Sequence, residues 1–408
     1  MNFLIQFQLL STQTALLSNY EAVALGTGSK CLGENELSLD GSLVHDGHAE
    51  VITKRAFILY VMHHLEKAYD VMDSSTSDSE NIFEYCKTSK HFYLKDGVRF
   101  HFYSSYPPCG DATIAPKMSK LDGNSILNTD DLSYPANKKI RLESSDESAD
   151  IHRTGAKCVD QCMTKDPQGL STSRKHFHTL GAVRTKPGRG DPSKSLSCSD
   201  KMSKWNFVGL QGSFVSSLLS NGPITWSSLV FGSDQLNLQS VYRSLYSRFT
   251  NQDNVLEPIP IIKSTIPFQY AKEDKLETSK IIPCSSNLAF ARSEEKIICH
   301  DIMVNGRKQG ITKKHYGTRK AKASICRANI SMRFVQLLKK MHASCSDKHI
   351  CDTCQSIQGN IMYSKLKMNC QNHTKWFKKR ETSYYRILPG LKEARRERRE
   401  RLDDFLIG

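Results

Sequence analysis

A histidine and a glutamate lie two positions apart in the stretch HDGHAEVITKRAF (45–57), and a cysteine follows two prolines in PPCGDATI (107–114). An imidazole and a thiolate are both good zinc ligands, and three protein ligands leave the fourth tetrahedral position of the ion to a water molecule. A glutamate beside such a water can take up its proton and return it. The spacing therefore predicts His48 and Cys109 as zinc ligands and Glu50 as an acid and base rather than a ligand.

The third zinc ligand is missing from its expected position. In zinc-dependent nucleobase deaminases a His-x-Glu pair is followed by Pro-Cys-x-x-Cys, but the third residue after Cys109 is Ala112. Taken singly, a surface histidine and a buried thiol are the ordinary interpretations of His48 and Cys109. Because each lies at a predicted junction from strand to helix, the pair favours a site whose third ligand comes from elsewhere in the chain.

Strands and helices alternate in the segments that carry these residues. Apolar residues at helical spacing predict helices, whereas alternating apolar runs that end at glycine or proline predict strands. The predicted strands are 21–31, 98–106 and 224–233, and the predicted helices are 48–65 and 318–341, with a helix or a helix pair at 195–219. Residues 251–293 predict no regular element. This alternation predicts an α/β fold.

One large domain accounts for most of the chain. It covers 21–380, after a short lead at 1–20, and a charge-dense tail follows at 381–408. At about 117–152 the composition shifts to serine, aspartate, asparagine and lysine without apolar periodicity. Such a composition predicts a disordered insertion inside the domain.

The overall charge indicates the class of partner. The 408 residues carry a formal net charge of +15, which favours a polyanion such as nucleic acid. Thirteen cysteines without a secretory signal predict a reduced intracellular compartment. The opening MNFLIQFQLL is too short to span a membrane, and a weak basic cluster at 135–143 leaves nucleus and cytoplasm both open. We therefore expect no membrane association.

Three motifs together resemble one family. HAEVITKRAF, PPCGDATI and SCSDKMSKWNFVGLQGS resemble the adenosine deaminases acting on RNA and, more closely, their tRNA-specific relatives. The resemblance implies a cytidine-deaminase-like mixed sheet sandwiched by helices. It also implies the third zinc ligand, because Ser-Cys-Ser-Asp-Lys occurs at 197–201 and 344–348 but only the first copy is followed by Trp-Asn and Gly-x-Gln-Gly. That copy contributes Cys198.

The resemblance further implies a reaction. Water activated by zinc attacks C6 of adenine, and Glu50 protonates N1 and assists the departure of ammonia. The substrate implied is tRNA, at the base 3′ of the anticodon of an alanine tRNA. Two alternatives remain open: a cytidine deaminase acting on RNA, which uses the same zinc and glutamate, and an RNA-binding protein or truncated isoform with impaired catalysis.

A cation on the first predicted helix needs an anion. The spacing of Arg55 directs its stem toward the apolar side of that helix, where an unpaired guanidinium is costly. We expect no acidic partner from the motif-bearing segments, and the family buries inositol hexakisphosphate there, a ligand that suits arginine and lysine. The resemblance implies these contacts: Lys54, Arg55, Lys201, Lys204, Ser213, Lys314, Tyr363 and Lys367. For Lys54 a snorkelling side chain is the alternative.

The resemblance also implies residues that face the RNA. Ser29 and Lys30, in GTGSKC, match positions that line the RNA-facing side of the pocket. Arg189, in RTKPGRGD, matches a loop that enters the duplex in relatives that edit double-stranded RNA, and an arginine there fits a target base already unstacked in a loop. No segment has room for a separate RNA-binding domain, so we expect tRNA to bind the basic surface of the catalytic domain. The oligomeric state is left open.

A second metal site is a further hypothesis. Its ligands would be Cys345, His349, Cys351 and Cys354. Four ligands within ten residues would need a very tight knuckle, so reduced loop cysteines are the preferred interpretation.

Overall fold

The fold described here is that of a computed structural model of the chain. It describes residues 5–11, 19–72, 81–114, 157–158, 180–187, 191–233, 236–247, 258–266, 268, 284–294 and 296–341. The predicted insertion, the charged tail and the hypothetical second metal site all lie outside these ranges.

An eight-stranded sheet forms the centre of the domain. The strands of the described part are β1 Ile5–Ser11, β2 Asn19–Gly26, β3 Phe83–Cys86, β4 His91–Leu94, β5 Arg99–Ser104, β6 Lys157–Cys158, β7 Arg184–Thr185, β8 Ser228–Phe231, β9 Ile261–Lys263, β10 Ser286–Arg292, β11 Ile297–Val304 and β12 Arg307–Lys308. The order in the large sheet is β12-β11-β10-β2-β1-β5-β8-β9. Strands β5, β8 and β9 run parallel, and the other neighbours run antiparallel. The mixed α/β class is therefore confirmed.

Five α-helices accompany the strands in the described part. They are α1 Ala49–Asp70, α2 Cys198–Val208, α3 Gly212–Ser216, α4 Leu238–Tyr242 and α5 Arg327–Met341. None of these helices is long and apolar enough to cross a membrane.

Helix α1 organises the core. It packs on β2 and β10 and buries most of its length, because apolar side chains surround it on nearly all sides. Phe57 is fully buried and meets Phe100 of β5 edge to face, with 5.0 Å between the ring centroids. Burying one such ring contributes about 1.5–3 kcal/mol, so this contact holds the first half of α1 against β5.

Three predictions from the sequence differ from the structure. The N-terminal lead contains β1, which pairs with both β2 and β5. The range 251–293 contains β9 and all of β10. The buried face of β10 carries Asn287, Ala289 and Ala291, so its apolar alternation is weak. The helix predicted at 318–341 begins only at Arg327, because a 3-10 turn at Arg319–Ala321 precedes it.

Candidate active site

Three predicted metal ligands lie at the starts of helical segments. His48 immediately precedes α1 with extended backbone angles, and Cys198 is the first residue of α2. Cys109 lies between β5 and a 3-10 turn at Asp111–Thr113. The positive end of a helix favours a thiolate, so these positions suit ionised cysteines.

The three side chains meet at one point. His48 Nδ1 lies 3.8 Å from Cys109 Sγ and 3.6 Å from Cys198 Sγ. All three ligand atoms lie within 4.8 Å of one another. Tetrahedral zinc with ordinary bond lengths separates a nitrogen and a sulfur ligand by about 3.6 Å. The donor set and its spacing therefore fit zinc.

The loop that carries Cys109 is docked tightly on the start of α2. The Cys198 amide donates to Cys109 Sγ at 3.3 Å, and the Ser199 amide and hydroxyl both donate to the Cys109 carbonyl, at 3.0 and 2.9 Å. Gly110 has φ 109°, and a Cβ there would lie 2.2 Å from the Ser197 hydroxyl. Only glycine permits this approach, so the close docking of the ligand loop depends on it.

The sulfur of Cys109 is prepared for ionisation. Its hydrogen bond with Cys198 and, against the opposing effect of burial, its interactions with His48 and Lys186 hold its pKa well below the usual range. Thiolates are the form of cysteine that binds metals.

Glu50 lies in the first turn of α1 and is buried. Burial, and secondly the negative charge of Cys109, raises the pKa of Glu50 above its usual value. A carboxyl group with a raised pKa takes up and releases a proton near neutral pH more readily than an ordinary one. Because Cys109 and His48 both act on its pKa, the carboxyl group of Glu50 lies close to the metal ligands.

A buried carboxylate near the ligands was missed by the sequence analysis. Asp46 accepts a hydrogen bond from the His48 amide at 3.0 Å through Oδ1, and its Oδ2 pairs with Lys186 at 2.7 Å and with Lys201. The Ser195 hydroxyl also donates to Oδ2, at 2.6 Å. Burial opposes the ionisation of Asp46, but the two lysines outweigh it and hold its pKa well below the usual value. The expectation that the motif-bearing segments offer no acidic partner was therefore wrong for Lys201.

Lys186 connects this carboxylate with the ligand site. Its side chain is fully buried. Burial opposes its charge, but Asp46 and the nearby Cys198, Cys109 and Glu50 raise its pKa well above the usual value. Lys186 therefore remains a cation beside the ligand cysteines.

A second buried carboxylate, Asp111, follows the ligand loop. Its Oδ1 accepts from Arg184 Nη1 at 3.2 Å and from the Gly181 amide at 2.8 Å, and its Oδ2 accepts from Arg243 Nε at 3.0 Å. Asp111 and Arg184 are both fully buried. This network joins Asp111 to two segments that are distant in the sequence. The only signal for it in the sequence is that Asp111 follows the Pro-Pro-Cys motif closely.

A cationic cluster lies where α1, α2 and α3 meet. Lys54 Nζ lies 5.7 Å from the centre of the Trp205 ring, and a side chain at the first residue of α3 would come within 3.6 Å of it. Burial, followed by the charges of Arg55 and Lys204, lowers the pKa of Lys54 to about 7. No carboxylate pairs with Lys54 among the residues that the structure describes.

The other predicted phosphate contacts differ in burial and in whether the structure describes them. Arg55 donates from Nη1 to the Ile325 carbonyl at 2.7 Å, and Ser213 lies in α3. Lys314 is exposed in a 3-10 turn. Tyr363 and Lys367 lie outside the described residues, so all these contacts stay predictions.

Two of the three predicted RNA-facing residues are described. Ser29 and Lys30 lie in the loop after β2, where the Lys30 carbonyl accepts from the Gly47 amide at 2.9 Å and the Gly28 carbonyl accepts from the Ala49 amide at 2.9 Å. The loop therefore rests on the residues flanking His48. Arg189 lies outside the described ranges.

Known proteins are similar to this chain over most of its length. The profile of the adenosine-deaminase (editase) domain matches residues 24–386. The tRNA-specific adenosine deaminase 1 of Drosophila melanogaster is 31% identical over 325 residues, which cover 78% of this chain and 72% of that protein. The human protein of the same name is 28% identical over 406 residues, covering 79% and 78%. The double-stranded RNA-specific editase Adar of Drosophila melanogaster is 28% identical over 241 residues, covering 58% and 30%.

Proposed function

The chain belongs to the adenosine-deaminase (editase) domain family, and we propose that it converts adenosine to inosine in tRNA by hydrolysis, at the base 3′ of the anticodon of an alanine tRNA. The convergence of His48, Cys109 and Cys198 beside the buried Glu50 carries this proposal. The tRNA substrate is supported by the relatives named for tRNA, which align over 72–78% of their own length. The cytidine-deaminase-like organisation of the sheet belongs to the same proposal.

His48, Cys109 and Cys198 would hold zinc. Zinc bound there would lower the pKa of a water molecule toward neutrality and so supply the nucleophile. Glu50 takes a proton from the attacking water and delivers it to N1 of adenine. It then takes the proton of the new hydroxyl group at C6 and passes it to the amino group, which leaves as ammonia while C6 becomes the carbonyl carbon of inosine. Asp46 accepts from the His48 amide and so positions the backbone of that ligand, and Lys186 neutralises the charge of Asp46.

The cluster around Lys54 would hold inositol hexakisphosphate as a structural cofactor. Its support is that Arg55 and Lys204 crowd Lys54 and that no carboxylate in the described part of the chain pairs with Lys54, so a polyphosphate there would offset the repulsion between these cations. The phosphate released from purified protein by acid should fall in Lys54→Met, whereas Lys67→Met on the same helix should keep it. Equal phosphate in both variants would remove this part of the proposal.

We also propose an intracellular location, nuclear or cytoplasmic. No disulfide joins the seven cysteines of the described part, as a reducing compartment favours.

A glutamate variant tests the reaction. Glu50→Gln should keep the zinc content near that of the wild type and lower inosine formation by about 10²- to 10⁴-fold or more, since proton transfer contributes that much. Glu66→Gln, at a partly exposed position further along the same helix, should leave both unchanged. Inosine formed by Glu50→Gln at the wild-type rate would contradict the assigned role.

The same assay separates the alternatives. A tRNA with cytidine at the target position should stay unchanged if the adenosine assignment is right. Folded protein without zinc and without inosine formation would instead indicate an RNA-binding protein.

A further inference from the structure

One surface of the domain has an unusual charge composition. Residues 302–346 contain no aspartate or glutamate, and eleven lysines and arginines lie within 302–341. A charge-rich segment without acids cannot neutralise itself, so each cation must find its partner on another element or remain available to a polyanion.

Several of these cations do have partners on other elements. Lys308 Nζ pairs with Asp301 at 3.0 Å, Arg333 forms two 2.9 Å hydrogen bonds with Glu66, and Lys340 pairs with Asp70. These contacts fasten β12 to β11 and α5 to α1. The corresponding charges are therefore used by the fold.

Four cations between β12 and α5 have no such partner. Lys313, Lys314, Arg319 and Lys320 are exposed, and within the described ranges none of them pairs with a carboxylate. Two 3-10 turns hold them, at Lys313–His315 and Arg319–Ala321, so their spacing is set by backbone structure. We refer to these four residues as the 313–320 surface.

The 313–320 surface adjoins the segment that leads to the ligand site. The turn before β12 packs on the segment that leads to His48. The amide of Val44, which is four residues before His48, donates to the Gly306 carbonyl at 3.0 Å. The Arg307 guanidinium stacks on Tyr316, 4.4 Å from the ring centre. Tyr316 lies between the two pairs of cations of the 313–320 surface and is 41% exposed. The surface is thus connected through Arg307 and the turn at Gly306 to the segment that precedes His48.

We propose that the 313–320 surface binds the sugar-phosphate backbone flanking the tRNA loop that reaches the active site. This inference rests on the proposed function, because it takes tRNA as the substrate. Lysine and arginine contacts to phosphate supply affinity and orientation without reading sequence. The proposal also gives Lys314 a role. An exposed lysine is better placed to contact RNA at the surface than to contact a buried polyphosphate.

The test removes charge in pairs. Lys313→Gln with Lys314→Gln forms one variant, and Arg319→Gln with Lys320→Gln forms a second. A matched control replaces Lys87 and Lys263, two exposed lysines on the β3–β4 turn and on β9, the opposite edge of the sheet from β12. Binding of full-length tRNA is measured from 50 to 200 mM salt, and deamination kinetics are measured on the same tRNA.

Each variant pair should lower the slope of log affinity against log salt by about 1.5, since each phosphate contact contributes about 0.7–0.9. The affinity difference from wild type should then shrink by about eightfold between 50 and 200 mM salt. The KM should rise while kcat stays unchanged, because these side chains touch no reacting atoms. The control pair should change none of these quantities.

A salt slope equal to that of wild type or of the control pair would overturn the inference. So would an unchanged slope together with an altered sedimentation coefficient, which would assign the surface to protein contact. Binding and turnover are separate readouts. Inosine formation with an unaltered slope in the variants would refute this surface alone, and salt-dependent binding without inosine formation would refute the proposed function alone.

Discussion

Asp46→Asn tests whether the fold depends on the buried charge balance beside the ligand site. The substitution keeps the size of the side chain and an oxygen that can accept from the His48 amide, but it removes the negative charge. Lys186, whose side chain is fully buried, then loses the carboxylate that lies 2.7 Å from its Nζ. Lys201 loses the same partner but is partly exposed, so water can replace it.

The expected loss of stability depends on the charge of Lys186, which stays buried in the variant. Removing one partner of a buried ion pair costs about 3–5 kcal/mol, because the remaining charge has no compensation. We expect Asp46→Asn to lower the free energy of unfolding by this amount, with Lys186 accounting for most of it. Asp40→Asn is the matched control. Asp40 accepts from the Ser42 amide at 3.0 Å in the same local arrangement but is exposed, so its loss should stay within about 0.5 kcal/mol.

Urea unfolding of the two variants and the wild type, in the same buffer and at the same zinc concentration, measures the difference. Zinc content measured on the folded proteins shows whether the ligand site survives. If Asp46→Asn proves no more destabilising than Asp40→Asn, Lys186 does not depend on this carboxylate and the argument fails.

Two further predictions concern other buried charges. Asp111→Asn should lower the free energy of unfolding by about 3–5 kcal/mol, because Arg184 and Arg243 both lose the negative charge that they share. Glu66→Gln, at a partly exposed pair, should cost about 1 kcal/mol or less, and equal losses in urea unfolding would contradict this expectation. Burial and neighbouring cations lower the pKa of Lys54 from 10.5 to about 7, so the unfolded chain binds more protons between these values and phosphate-free protein should gain stability as pH rises from 7 toward 10. Lys54→Met should flatten that part of the melting-temperature curve, and an unchanged curve would count against it.

The sequence indicated the chemistry of the site because that chemistry depends on residue types at short spacing. His48 and Glu50 share one turn of a helix, and the start of α1 was predicted at the correct position. Cys198 could be chosen over Cys345 only through the motif that follows it, since no local rule relates a cysteine to a histidine 150 residues away. The structure brings Cys198 beside His48.

The partners of the buried charges could not be predicted in this way. Asp46 lies two residues before His48 in the sequence, but its partners Lys186 and Lys201 come from later segments. Pairing between residues so far apart produces no periodic pattern in the sequence. Strand β10 was missed for a related reason, because its buried face holds small and polar residues that are stable only in the middle of a sheet.

The sequence by itself determined which side chains can bind zinc and move a proton, and where the first helix of the site begins, because these follow from local spacing and the intrinsic chemistry of imidazole, thiolate and carboxylate. The tertiary structure alone decided which lysine neutralises which aspartate, and that β1 enters the sheet between β2 and β5. Those choices depend on long-range contacts, whose energy arises only when distant segments pack together and exclude water.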